Sequence, residues 1–234
     1  MSEGHEMRWG GLAGLASLVL AVVAGTLLRG APRITASSDT IALYLTNSRD
    51  VIMAAAVLYA AAVALFVWFG ATLATAFRLP DPNSDAPAVM LAGFVLTGTI
   101  GFLGASILGG AAYALTAHPM LIGLASAPYS AVAVVTTLAG MAVALPLAAC
   151  AAAIARTGVL PQWAAWFSGF VAVIRILGAL TVLGGAGAIA PGGVLATYLS
   201  GGLTALWIVV LSGLLVREHL PVIQPQRRRT PGPA

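Results

Sequence analysis

Lysine is absent from this chain, and charge of either sign is scarce. Only 8% of the 234 residues are charged, where a soluble domain carries about a quarter. All eleven basic residues are arginine. With 60% hydrophobic residues and a mean hydropathy of +0.99, the balance excludes a soluble globular domain and fits a polytopic membrane protein. The heavy use of Ala, Gly and Val beside the missing lysine points to a GC-rich bacterial genome. The formal net charge of +4 calls for no nucleic-acid partner. Arginines at the ends of membrane spans account for it.

Cysteine is nearly absent as well. Cys150 stands alone in an apolar run, which excludes an intrachain disulfide framework and a cysteine metal cluster. It reads as a small core residue whose thiol is inert in apolar surroundings. Carboxylates are missing from the interior of every apolar run. Glu3, Glu6, Asp39, Asp50, Asp81, Asp85 and Glu218 all fall outside. That argues against a proton relay or cation site of the carboxylate kind. His5, His118 and His219 lie in the N-terminal tail, an outer loop and beyond the last run. No histidine pair has metal-ligand spacing, and none is placed to hold a haem. No cofactor is expected.

What the chain does have is six apolar segments, at about 9–28, 51–77, 87–115, 126–155, 162–187 and 193–216. Each can cross a hydrocarbon core of ~30 Å at ~1.5 Å per residue. In lipid the backbone must satisfy itself, so each is expected to be a helix. The alternation of a β-barrel is not there. The first segment follows Glu3 and Glu6 as well as Arg8, and no Ala-x-Ala site closes it before Arg29. It reads as a retained span rather than a signal peptide. The expected fold is all-α: a polytopic bundle of six transmembrane helices over residues 1–217, then a basic, Pro-rich tail over 218–234. Such a tail cannot build a core and is expected to be disordered, with Arg227 to Arg229 held near anionic lipid.

The long connection at 29–50 predicts a short surface helix at about 39–46, with Ser37, Ser38 and Asp39 as N-cap types. Ser48 is a second N-cap candidate, and Asp50 suits the first turn of span two. A continuous helix over 39–77 is the competing reading. Asp81 and Asp85 suggest a turn and an N-cap for span three. Arginine counting places both termini in the cytoplasm of a bacterial plasma membrane. Arg8, Arg78, Arg156, Arg217 and Arg227 to Arg229 then lie inside, and Arg29, Arg33 and Arg49 outside. The arginines closing spans two, four and six suit snorkelling at one face, although a repeated helical hairpin would leave the same trace.

Gly93, Gly98, Gly101, Gly104 and Gly109 keep small residues near one side of span three, and Gly10 with Gly14 does so in span one. These are close-approach surfaces in lipid. They suit packing within the bundle, a homo-oligomer or a membrane-protein partner. Pro146 is expected to kink span four. Gly184 to Gly187 and Pro191 to Gly193 suggest a loose turn between spans five and six.

One charge has no place in these surroundings. Arg175 lies roughly 20 Å along span five from its inner end. A charge at mid-membrane costs about 2.5–3.5 kcal/mol on insertion scales. No acid shares its depth, while Tyr59, Thr97, Thr99, Thr136, Thr137 and Thr181 lie within spans. Arg175 is therefore a structural tie between helices, an anion or lipid-headgroup site, or a side chain that snorkels. The candidate ligand set is Arg175, Tyr59, Thr97, Thr99, Thr136 and Thr181, around a cavity among spans two to five.

The outer loop Ser-Ser-Asp-Thr-Ile-Ala-Leu-Tyr-Leu-Thr-Asn-Ser-Arg-Asp, the span-two ending Phe-Gly-Ala-Thr-Leu-Ala-Thr-Ala-Phe-Arg and the stretch Leu-Pro-Gln-Trp-Ala-Ala-Trp at 160–166 resemble a group of uncharacterised actinobacterial integral membrane proteins. The likeness spans most of the chain and implies no activity, cofactor or catalytic residue. The residues alone favour a non-enzymatic membrane component, either an assembly partner or a sensor-like protein. Binding or transport of an anionic lipid or small acid at Arg175 is the alternative. A lipid-modifying enzyme or disulfide carrier comes last, with Asp81 and Asp85 its thin metal-site candidates. Membrane lipids are the expected partners in every case.

Overall fold

The computed structural model describes residues 3–184 and 198–217. It holds seven α-helices among them: α1 Glu3–Leu27, α2 Ser38–Asn47, α3 Arg49–Arg78, α4 Ala86–Ala117, α5 Ser126–Thr157, α6 Gln162–Leu180 and α7 Ser200–Arg217. All but α2 are long and apolar enough to cross a membrane. Two tight turns of 3-10 helix, Pro119–Leu124 and Thr181–Leu183, precede α5 and follow α6. The bulk of the Gly-rich turn expected between spans five and six, and the basic tail from 218 on, lie outside the described residues.

The surface helix forms where the N-cap residues put it. Ser37 is extended, and its Oγ accepts the Thr40 N–H at 3.3 Å. The chain breaks at Ser48, so one helix over 39–77 does not form. Ser48 itself makes no side-chain cap bond; its N–H goes back to the Tyr44 carbonyl. Asp85 does not cap α4 either. Ser84 takes that place, accepting the Ala86 N–H at 3.3 Å and a bond from Arg156 at 3.4 Å. Gly158 closes α5 with φ +61°, where a side chain would be strained.

The six long helices pack each against the next in chain order, and α7 returns to α1, so they close a ring. The start of α1 lies beside the end of α7, where Gly11 meets Ser212 and Val216. This end of the ring is the terminal face. At the opposite end α2 lies across α3, α4 and α5. It buries Ile41 and Leu45 with Ile52, Ala112 and Leu115. Tyr129 ties the connection before α2 to α5 by donating to the Pro32 carbonyl at 2.6 Å.

In lipid no hydrophobic force draws helices together, so close contact decides the packing. The glycines of α4 supply it on two sides rather than one. A Cβ on Gly98 would lie 3.0 Å from Val63 of α3, and one on Gly93 would lie 2.5 Å from the Pro146 ring of α5. Gly10 faces Thr72 of α3, and Gly14 faces Phe69 and Ser212. The small-residue surfaces of spans one and three are thus taken up inside the ring. Pro146 is buried in the unbroken run of α5, seated on Gly93.

Candidate functional site

The terminal half of the ring is filled. Phe69, Leu73, Phe94, Leu147, Cys150, Ile154, Trp207 and Leu211 are buried there in one cluster. Its aromatic members interlock: Phe66 tilts against Phe94 at 4.8 Å between centroids, Phe94 meets Phe69 edge-on at 5.8 Å, and Trp207 lies 6.2 Å from Phe69. The Trp207 indole N–H is satisfied by Ser168 Oγ at 2.8 Å, which donates in turn to the Ala164 carbonyl. This layer closes the ring toward the terminal face.

Above it lies a cavity of about 250 Å³ to which every one of the six spans contributes. Ser17 comes from α1, Tyr59 from α3, Thr97 from α4, Thr136 from α5, Arg175 from α6 and Thr204 from α7. The rest of the wall is apolar, including Leu18, Val63, Phe66, Ile100, Val143 and Ile208. The expected cavity among four spans is therefore a central one among six. Gly98 and Gly101 line it, and Pro146 does not.

Arg175 is brought there by close packing. A Cβ on Gly140 of α5 would lie 2.8 Å from the Arg175 carbonyl oxygen, so only glycine allows α6 this near. The Arg175 Nε–H donates to Thr204 Oγ1 at 2.5 Å, and Thr204 donates to the Ser200 carbonyl at 2.9 Å. The Thr204 proton is then spent. The terminal guanidinium nitrogens have no protein acceptor among the described residues. The one ion pair among the described residues is Arg49 with Asp50 at 3.8 Å, far along α3 from Tyr59, and the Asp50 side chain is 95% exposed. The first loop does not fold inward to neutralise Arg175.

Two further groups are unspent. Tyr59 lines the same cavity, its ring fitted over Gly101, where a Cβ would lie 3.1 Å from Cε1. Its hydroxyl makes no hydrogen bond among the described residues. Thr97 is stranger. The other threonines of the described spans return their hydroxyls to a backbone carbonyl, as Thr72, Thr99, Thr116 and Thr157 do. The Thr97 hydroxyl is buried with no partner among the described residues. Leaving such a group unsatisfied costs about 1–3 kcal/mol.

Of the expected ligand set, Arg175, Tyr59, Thr97 and Thr136 meet at the cavity, and Thr99 and Thr181 do not. Two residues along a helix from Thr97, Thr99 must point away from it. It is exposed on the outer side of α4 and bonded to the Val95 carbonyl at 2.9 Å. Thr181 is buried in the turn after α6 and donates to the Gly178 carbonyl at 2.6 Å. Thr136 lines the wall with its own proton already given to the Val132 carbonyl at 2.8 Å. Thr137 is buried and bonded to the Ala133 carbonyl at 2.7 Å, away from the cavity. The residue that sequence reasoning missed is Thr204, the direct partner of Arg175. A signal existed: α6 and α7 are antiparallel neighbours, and the two residues lie about equally far in sequence from the midpoint of the segment that joins them.

Among the described residues no group of three His, Cys, Asp or Glu side chains is placed to hold a metal ion. No protein-family model matches the chain, and neither does any curated protein or solved structure.

Proposed function

We propose that this membrane protein is a non-enzymatic, membrane-embedded binding protein for an anionic ligand, held in the central cavity by Arg175. The observation that supports it above all is a guanidinium at mid-membrane with one hydrogen bond, to Thr204, and no carboxylate among the described residues to balance it. A buried charge needs a partner or water. The cavity gives room for a partner, and the free edge of the guanidinium has the fork that matches carboxylate or phosphate. The reading falls within the sensor-like or transport class rather than assembly, whose small-residue motifs are used within the ring.

The setting we propose is a bacterial plasma membrane with the terminal face in the cytoplasm. Arg8, Arg78, Arg156 and Arg217 on that face against Arg29, Arg33 and Arg49 on the other support the orientation. The all-arginine composition and the resemblance to uncharacterised actinobacterial membrane proteins support the source.

The test compares wild type with Arg175→Gln and Arg175→Lys, purified in mild detergent and extracted for negative-ion mass spectrometry. An anionic species copurifying with wild type should be depleted in the Lys variant and more so in the Gln variant. If the Gln variant retains every copurifying species and loses only thermal stability, Arg175 is a tie between helices and the proposal is wrong.

A further inference from the structure

The geometry points to a ligand class: we infer that the cavity takes a monocarboxylate with an apolar body. This rests on the anion-binding reading and narrows it. Three features carry it. Charge comes first. Among the described residues, Arg175 is the one basic residue lining the cavity. One negative charge balances it, whereas a phosphate dianion would leave a net negative charge in a low-dielectric wall.

Donor geometry comes second. Thr204 occupies the Nε side of the guanidinium, so the edge between the two terminal nitrogens remains. That edge grips the two oxygens of a carboxylate end-on. A carboxylate has about four lone-pair sites in all. Two are met by Arg175, a third by the unspent Tyr59 hydroxyl. The fourth is assigned to Thr97, which lines the cavity and whose buried hydroxyl has no partner among the described residues. All four acceptor sites are then met, and the two guanidinium N–H groups left over point away from the gripped edge.

The wall comes third. Leu18, Val63, Phe66, Ile100 and Ile208 present hydrocarbon to whatever extends from the carboxylate. A small, fully hydrated acid would find no polar partner there, and an alkyl or aromatic body would. Free short-chain acids in water and fatty acids in the bilayer share this chemistry.

Isothermal titration of the full chain in detergent micelles tests it, with hexanoate, hexyl phosphate and hexanol as probes. The Arg175→Gln chain, checked by gel filtration, reports background partition into the micelles. Hexanoate should bind wild type about a hundredfold more tightly than it binds Arg175→Gln or than hexanol binds wild type. Tyr59→Phe and Thr97→Val, which keep their shapes, should each weaken hexanoate about tenfold. Hexyl phosphate should bind more weakly at about pH 8, as a dianion, than at about pH 5, as a monoanion. If it binds at about pH 8 as tightly as hexanoate, the carboxylate assignment falls and the anion site stands. If folded wild type binds no anion better than hexanol, both fall. Tyr59→Phe and Thr97→Val leaving hexanoate unchanged would also overturn the donor match. A series of acetate, hexanoate and palmitate separates the sources, each upholding the class. Affinity that peaks at hexanoate assigns the acid to water, and affinity still rising at palmitate assigns it to the bilayer.

Discussion

At the scale of single residues, Thr204 is the side chain on which Arg175 depends. It accepts from Nε and donates to the Ser200 carbonyl. Thr204→Val keeps the shape and removes both bonds. A donor on a charged group is then left unmet, which costs about 1–3 kcal/mol or somewhat more. Thermal unfolding in detergent should show the loss. Thr204→Ser should restore most of it, because the hydroxyl returns. An unchanged midpoint in Thr204→Val would mean that water or ligand satisfies Nε as well as threonine does. The charge that organises the site was legible in the sequence, because an arginine deep in an apolar run announces itself. Its partner was not. A threonine in a span is ordinary, since its hydroxyl can always return to the preceding turn. Only the pairing of α6 with α7 singles out Thr204, and only side-chain geometry shows that, among the threonines of the described spans, Thr97 alone declines the backbone bond.

At the scale of helices, glycine position decides distance, and not every glycine matters. Gly93 and Gly110 both lie in α4. A Cβ at Gly93 would lie 2.5 Å from Pro146 Cδ and 2.8 Å from its nitrogen, in a ring fixed to the backbone of α5. That neighbour cannot swing aside, so Gly93→Ala should destabilise by about 1–3 kcal/mol as overpacking does. Nothing lies within 4 Å of a Cβ at Gly110, so Gly110→Ala should leave the unfolding midpoint unchanged or slightly raised. Equal effects from the two would refute the packing account. The Gly repeat was visible as a close-approach surface, but its split between two faces was not. Small-residue spacing does not say which neighbour approaches. The surface helix was legible nearly to the residue, because the N-cap types Ser37, Ser38 and Asp39 come just before the apolar stretch from Ile41. Asp85 was not, because a capping residue type says nothing of whether its side chain turns inward. Ser84 makes that bond instead.

At the scale of the whole molecule, six apolar runs foretold six spans, and hydropathy alone suffices for that. Ring closure was not foretold, because it depends on α7 returning to α1. It has a consequence for sidedness. The aromatic layer of Phe69, Phe94 and Trp207 fills the terminal half, and the cavity lies on the α2 side of it. On the proposed orientation, with the terminal face in the cytoplasm, the cavity would sit nearer the external surface and would serve a ligand from outside. Cysteine labelling tests this cleanly, since the single native thiol, Cys150, is fully buried. Wild type should stay unlabelled by an impermeant maleimide in intact cells and in detergent. Asp50→Cys, at a side chain 95% exposed at the start of α3, should label in intact cells. Asn83→Cys, exposed between α3 and α4 on the terminal face, should label only once the membrane is opened. The converse pattern would keep the ring and turn the cavity toward the cytoplasm, so that a ligand would be drawn from the cell interior. Labelling of both positions in intact cells would contradict α3 as a span, because one crossing must put its two ends on opposite sides.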